Sequence, residues 1–96
     1  MVNTQTDIGR ICDEIKDLLI AKNLQYGDSA LLPVRIMSKS TPVEQILVRI
    51  DDKLSRISRG NPATEDEDVI NDLIGYLVLL KIARERAYNE TLPTDS

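Results

Sequence analysis

Thr41-Pro42-Val43-Glu44-Gln45-Ile46-Leu47-Val48-Arg49-Ile50-Asp51-Asp52-Lys53-Leu54-Ser55-Arg56-Ile57 is the stretch that decides the fold. Thr41 stands at an N-cap, Pro42 at N1 and Glu44 at N3, which together make a capping box. Val43, Ile46, Leu47, Ile50, Leu54 and Ile57 then recur at helical spacing and form one apolar face. Gly60-Asn61-Pro62 ends the helix. Arg49, Lys53 and Arg56 line one flank, and Asp52 lies further round, three residues from Arg49 and four from Arg56. Three cations facing a shared groove can hold phosphate oxygens, with arginine as the bidentate fork. The same flank also reads as a solvated face on which Asp52 forms local ion pairs.

Outward from this helix the period of three to four continues, and no run alternates with period two. The spacing predicts a first helix over Thr6 to Asn23, with Ile8, Ile11, Cys12, Ile15, Leu18 and Leu19 on its buried face. Asp7 and Glu14 flank that face, Asp13 and Asp17 point away from it, and Lys22 falls inside it. A third helix begins at a second capping box, Thr64 with Glu67, and Asp66 and Asp68 suit its positive end. Leu73, Ile74, Leu77 and Leu80 make one face, and Leu79 and Ile82 lie opposite with Asp68, Asp72 and Gly75. A helix apolar on two sides is buried on two sides, so the second side is expected to meet another copy of the chain. Between the first two helices, Leu24 to Ser40 reads as a long connection with room for one short extra turn. Tyr26-Gly27-Asp28-Ser29 supplies turn chemistry and Pro33 keeps its neighbourhood extended.

Ninety-six residues make one small domain, expected over 1–88 with a flexible polar tail over 89–96. Phe and Trp are absent, so the core is aliphatic. A net charge of −4 argues against a general nucleic-acid binder. With one Cys and no His, a zinc finger, a disulfide framework, a Ser-His-Asp or Cys-His pair and a His-ligated haem are excluded. Any metal would be a hard cation on carboxylates. Cys12 suits a reducing compartment and sits as inert core, and a cytoplasmic protein without a membrane span is expected.

Asp68 and Asp72 project from one helical face, and Gly75 continues it a turn later. Carboxylates one turn apart can share a Mg²⁺ ion completed by water and substrate phosphates. Alternatively, Asp68 belongs to the acidic first turn and Asp72 pairs with a nearby Lys or Arg. Lys22, on an apolar face, must snorkel, pair with a carboxylate or meet an anionic ligand. Tyr26 can stack on a base or close the core.

Three blocks occur in order: Lys22-Asn23-Leu24-Gln25-Tyr26-Gly27-Asp28-Ser29, Arg49-Ile50-Asp51-Asp52-Lys53-Leu54-Ser55-Arg56, and Asp68-Val69-Ile70-Asn71-Asp72-Leu73-Ile74-Gly75-Tyr76. The chain thereby resembles the nucleotide-modification-associated domain, a small, mostly phage-encoded family related to the MazG-like all-α nucleoside triphosphate pyrophosphohydrolases. The pattern is a K-x-x-x-Y-G turn, an R-I-x-D-K-x-x-R helix and a D-x-x-x-D-L-x-G-Y helix. The resemblance implies an all-α MazG-like bundle of three principal helices, completed by oligomerisation to a homodimer or larger assembly. It implies Mg²⁺ on Asp52, Asp68 and Asp72, which would also be the catalytic set. Lys22, Tyr26, Arg49, Lys53 and Arg56 would bind the nucleotide and its phosphates. MazG-like enzymes carry an E-E-x-x-E cluster on one helix and E-x-x-D on the next. Here the second helix has only Asp51 and Asp52, and Asp13-Glu14 with Asp17 has the cluster's spacing on the first helix.

Three functions follow as expectations. One is Mg²⁺-dependent hydrolysis of a nucleoside triphosphate to the monophosphate and pyrophosphate. Another is non-catalytic binding that sequesters a nucleotide second messenger of host antiviral defence. The third is a helical interaction module. The expected ligand position lies between Asp68 and Asp72 and the basic flank of the second helix, with Lys22 and Tyr26 at the margin.

Overall fold

The computed structural model describes residues 3–33, 35–59 and 67–91, the side chains of Glu67 and Asp68 excepted. Three helices follow in chain order: α1 over Thr4–Tyr26, α2 over Pro42–Ser58 and α3 over Glu67–Thr91. The architecture is all-α, with no strand among the described residues. None of these helices is long and apolar enough to cross a membrane.

Local chemistry sets the helix ends. The Thr41 hydroxyl accepts the Glu44 N–H at 3.2 Å, and Pro42 opens α2 where its missing N–H has no helical partner to lose. In α1 the Asn3 carboxamide oxygen accepts the N–H groups of Gln5 and Thr6 at 3.0 and 3.2 Å. This cap starts the helix two residues earlier than the apolar spacing predicts. The helix then runs past Asn23 to Tyr26 and stops at Gly27, whose φ of 69° lies in the left-handed region that favours glycine. Leu24 to Tyr26 are therefore helix and not connection. At the other end, α3 continues through residues 89–91, three positions into the expected tail, and the Thr91 hydroxyl donates to the Tyr88 carbonyl at 2.7 Å. Thr64, expected as the N-cap of α3, lies outside the described residues.

The core sits between α2 and α3. Ile46, only 1% exposed, and Ile50, Ala83 and Leu31, each under a tenth exposed, form its centre, with Val43, Leu73, Tyr76, Leu79, Leu80 and Ile82 packed against it. Fully burying a side chain such as Ile46 contributes roughly 1.5–3 kcal/mol. Leu31 arrives from the connection through a short turn, in which the Asp28 carbonyl accepts the N–H groups of Leu31 and Leu32 at 3.2 and 2.7 Å. The Asp28 carboxylate anchors the start of the turn, since Asn23 Nδ2 donates to its Oδ1 at 3.1 Å and Arg86 pairs with its Oδ2 at 3.8 Å.

Leu79 and Ile82 thus correct an expectation. They are half-buried within the chain, packed against the cluster of Leu31, Ile46, Ile50 and Ala83. Gly75 is likewise occupied from within: a Cβ there would stand 2.8 Å from Leu19 Cδ2 of α1. The physical reason is that α3 is sandwiched, with α2 on the side of Tyr76 and Leu79 and α1 approaching at Gly75. The expected buried face of α1 is also corrected. The helix has no buried residue, and Cys12 is exposed. Among the described residues α1 touches α3 sparsely and does not pack on α2.

Candidate functional site

One carboxylate joins all three helices. Lys53 of α2 donates to Asp72 Oδ2 at 3.2 Å, and Lys22 of α1 donates to Asp72 Oδ1 at 3.3 Å. The helical period explains the meeting. Asp72 and Tyr76 are one turn apart on α3, and Arg49 and Lys53 are one turn apart on α2, so the two antiparallel helices match them pairwise. The Arg49 guanidinium lies 6.0 Å from the centre of the Tyr76 ring, at the outer limit of a cation–π contact. Lys22 comes from the last turns of α1, one turn beyond the Leu19 contact with Gly75.

Exposure differs through the cluster. The Lys53 side chain is 16% exposed, Asp72 31% and Lys22 45%. Burial alone would raise the Asp72 carboxyl. The hydrogen bonds from Lys53 and Lys22, together with their charges, outweigh burial and hold its pKa below the usual carboxylate value. Two ammonium groups on one carboxylate leave a local positive excess in an otherwise acidic chain. Each ammonium carries three N–H donors, so donors remain after Asp72 is satisfied.

The other site residues fall elsewhere. Asp52 is exposed and pairs with Arg56 at 3.7 Å along α2, the local ion pair that its spacing allows. Tyr26 is 69% exposed at the end of α1 and does not close the core. The Asp68 side chain lies outside the described residues. Lys22 is joined directly to Asp72 and is the most exposed of the three charged groups. Among the described residues, no three His, Cys, Asp or Glu side chains are grouped so that they could hold a metal ion. Tyr76 is the member of the cluster that carries no role in the sequence reading. Its signal is its position four residues after Asp72, on the same face.

What the arrangement can do chemically is offer cations, one beside an aromatic ring, to an anion approaching between α2 and α3. Of the carboxylates expected to hold Mg²⁺, Asp52 and Asp72 each face one or two cations that a metal would have to displace, and the Asp68 side chain lies outside the described residues. No family model, curated protein or solved structure matches this chain, so the roles carried over from the three sequence blocks rest on those residues alone.

Proposed function

We propose that the protein binds a phosphorylated nucleotide at the Lys22–Asp72–Lys53 cluster and holds it without hydrolysis. The observation that carries this reading is the convergence of two lysines, from different helices, on one carboxylate of a third. Asp72 fixes both ammonium groups in place, so a phosphate finds its donors already oriented. Arg49 beside Tyr76 adds a guanidinium and a ring one turn along, suited to a second phosphate or to the base. Binding is favoured over hydrolysis by the partners of the carboxylates. Asp72 serves two lysines and Asp52 serves Arg56, which leaves neither as a metal ligand at rest.

Calorimetry with linear and cyclic nucleotides, with and without Mg²⁺, tests the reading alongside a pyrophosphate assay. Binding with the ligand recovered intact is the expected result. Lys53→Ala and Lys22→Ala should each weaken binding by about 1.5–3 kcal/mol, the range for hydrogen bonds to charged groups. Asp72→Asn keeps a carbonyl acceptor that can still orient one ammonium and removes a competing negative charge, so binding should be left intact or strengthened. Pyrophosphate release that depends on Mg²⁺ and Asp72 would return the protein to the hydrolase reading. Wild-type affinity in both lysine variants would place the site elsewhere.

A further inference from the structure

We infer that α1 is a clasp on the proposed nucleotide site: an anion held jointly by Lys22 and Lys53 fastens α1 to α2, two helices with no packing contact of their own among the described residues. The inference rests on the nucleotide reading and adds how that site closes. It starts from the light docking of α1, a helix of twenty-three residues that buries none. Ile15 and Leu18 lie half-buried beside Asn71 of α3, and Leu19 half-buried against Gly75. The C-terminal end is tied more firmly. Gly27 turns the chain at a φ of 69°, Asn23 and Arg86 hold the Asp28 carboxylate, and Leu31 is buried in the core. A segment anchored at one end and covered by few buried apolar contacts opens at low free energy.

The two lysines differ in how they reach the site. Lys53 is carried by α2, which the core fixes to α3, so its ammonium is in place whatever α1 does. Lys22 is delivered by α1. It follows Leu19 by three residues on the same face, and its side chain leans back towards the helix N-terminus, over the Leu19 contact. The seat of Leu19 on Gly75 therefore sets whether Lys22 comes to its 3.3 Å contact with Asp72. Gly75 permits that seat, since a Cβ there would stand 2.8 Å from Leu19 Cδ2. Neither Leu19 nor Gly75 has a polar side-chain atom for an anion, so both are positioning residues that act through Lys22.

A phosphate group offers oxygens to both ammonium groups at once, and each ammonium keeps donors beyond the one given to Asp72. It thereby links α1 directly to α2, a link that Asp72 makes only by way of α3. A ligand that meets its full donor set only with α1 seated shifts the population towards the seated arrangement. The coupling is reciprocal: whatever loosens α1 weakens the ligand in proportion.

Hydrogen exchange read by mass spectrometry on the full chain, beside calorimetry, tests the clasp with ATP, cyclic AMP and inorganic pyrophosphate as probes. Before a probe is added, amides from Ile8 to Leu18 should exchange roughly tenfold or more faster than those around Ile46 and Ile50. A bound probe should slow the α1 amides severalfold, including those at Ile8, about 21 Å along the helix from Lys22 and beyond direct contact. Gly75→Leu, which leaves both lysines in place, should weaken binding roughly tenfold and abolish that protection. Adding Leu19→Ala, which makes room for the new side chain, should recover most of both. If Gly75→Leu does not fold, Leu19→Ala alone decides, with faster α1 exchange and weaker binding expected. A probe that binds while α1 exchange stays the same overturns the clasp and leaves the nucleotide reading standing. Wild-type affinity in the folded variants overturns it too, as do α1 amides that exchange as slowly as those of α2 before a probe is added. Failure of every probe to bind defeats the nucleotide reading itself, and the clasp with it.

Discussion

α1 and the α2–α3 pair are built from similar apolar content and meet opposite fates. α2 has seventeen residues and buries Ile46 and Ile50 against α3. α1 has twenty-three and buries none. Both have apolar residues at helical spacing and both are capped, so neither feature decides packing. What decides it is an opposing surface. α3 spends its Tyr76–Leu79–Ala83 side on α2 and offers α1 little beyond Gly75 and Asp72. Isolated helices of about this length are marginal in water, so α1 depends on what it docks against.

The largest expected effect breaks this contrast most directly. Ile46→Ala should lower unfolding free energy by about 2–5 kcal/mol in a urea titration. Ile8→Ala, at an exposed site, should change it by less than about 0.5 kcal/mol in dilute protein. Equal costs would show that α1 is as much core as α2.

Next comes the carboxylate that joins the two regions. Asp72→Ala should cost about 1.5–3 kcal/mol, because it leaves the half-buried Lys53 without its partner. Asp52→Ala removes only an exposed pair along one helix and should cost less than about 0.5 kcal/mol. The pH dependence follows from the lowered Asp72 pKa. Its stabilising contribution is fully present above the unfolded carboxylate value of about 4, and is lost as pH falls through the lower folded value. Urea midpoints measured across that acid range should fall in the wild type, and the Asp72 part of the fall should vanish in Asp72→Asn.

Smaller still are the caps. Thr41→Ala should cost about 1 kcal/mol of global stability, since α2 cannot fray without disturbing the core. Asn3→Ala should reduce helical circular dichroism while leaving the urea midpoint in place, because the first turn of α1 opens locally. The smallest change sharpens the joint between the regions. Gly75→Ala brings a Cβ to 2.8 Å from the flexible end of Leu19, while helix propensity favours alanine by up to about 1 kcal/mol. The opposing terms should leave stability within about 1 kcal/mol, with the displacement visible as a shift of the Leu19 methyl resonances.

Legibility in the sequence followed how local each signal was. Thr41, Pro42 and the spacing from Val43 to Ile57 contain nearly everything about α2, because capping and amphipathicity act within a turn or two. The two apolar sides of α3 were also legible, but which neighbour covers each was not. Leu79 and Ile82 could meet α2 or a second copy equally well until the connection brought Leu31 into the same cluster. At the site, Lys22 on an apolar stripe demanded a counter-charge, and the local spacing of Asp72 allowed one. That these two demands answer each other across fifty residues is a tertiary fact with no local trace. Asp52 and Asp72 looked like partners on neighbouring helices, yet the azimuth of Asp52 directs it to Arg56.

The anchoring of Leu31 divides the connection between α1 and α2 into two parts with different tolerance to change. Gly27 to Leu31 are pinned by a left-handed glycine, by the Asp28 carbonyl and by a buried leucine, so an inserted residue there would pull Leu31 from its place. After Leu32 the described residues 35–39 are exposed, and apart from the hydrogen bonds that join Ser38 to Ser40 and Gln45 to Ser40 it is the closure entropy of a longer loop that opposes added length. Doubling a loop costs only about 0.6 kcal/mol. Related chains can therefore be expected to vary in length between Leu32 and Ser40, and hardly at all in the five residues before it, and a peptide tag would be carried most safely at that second half.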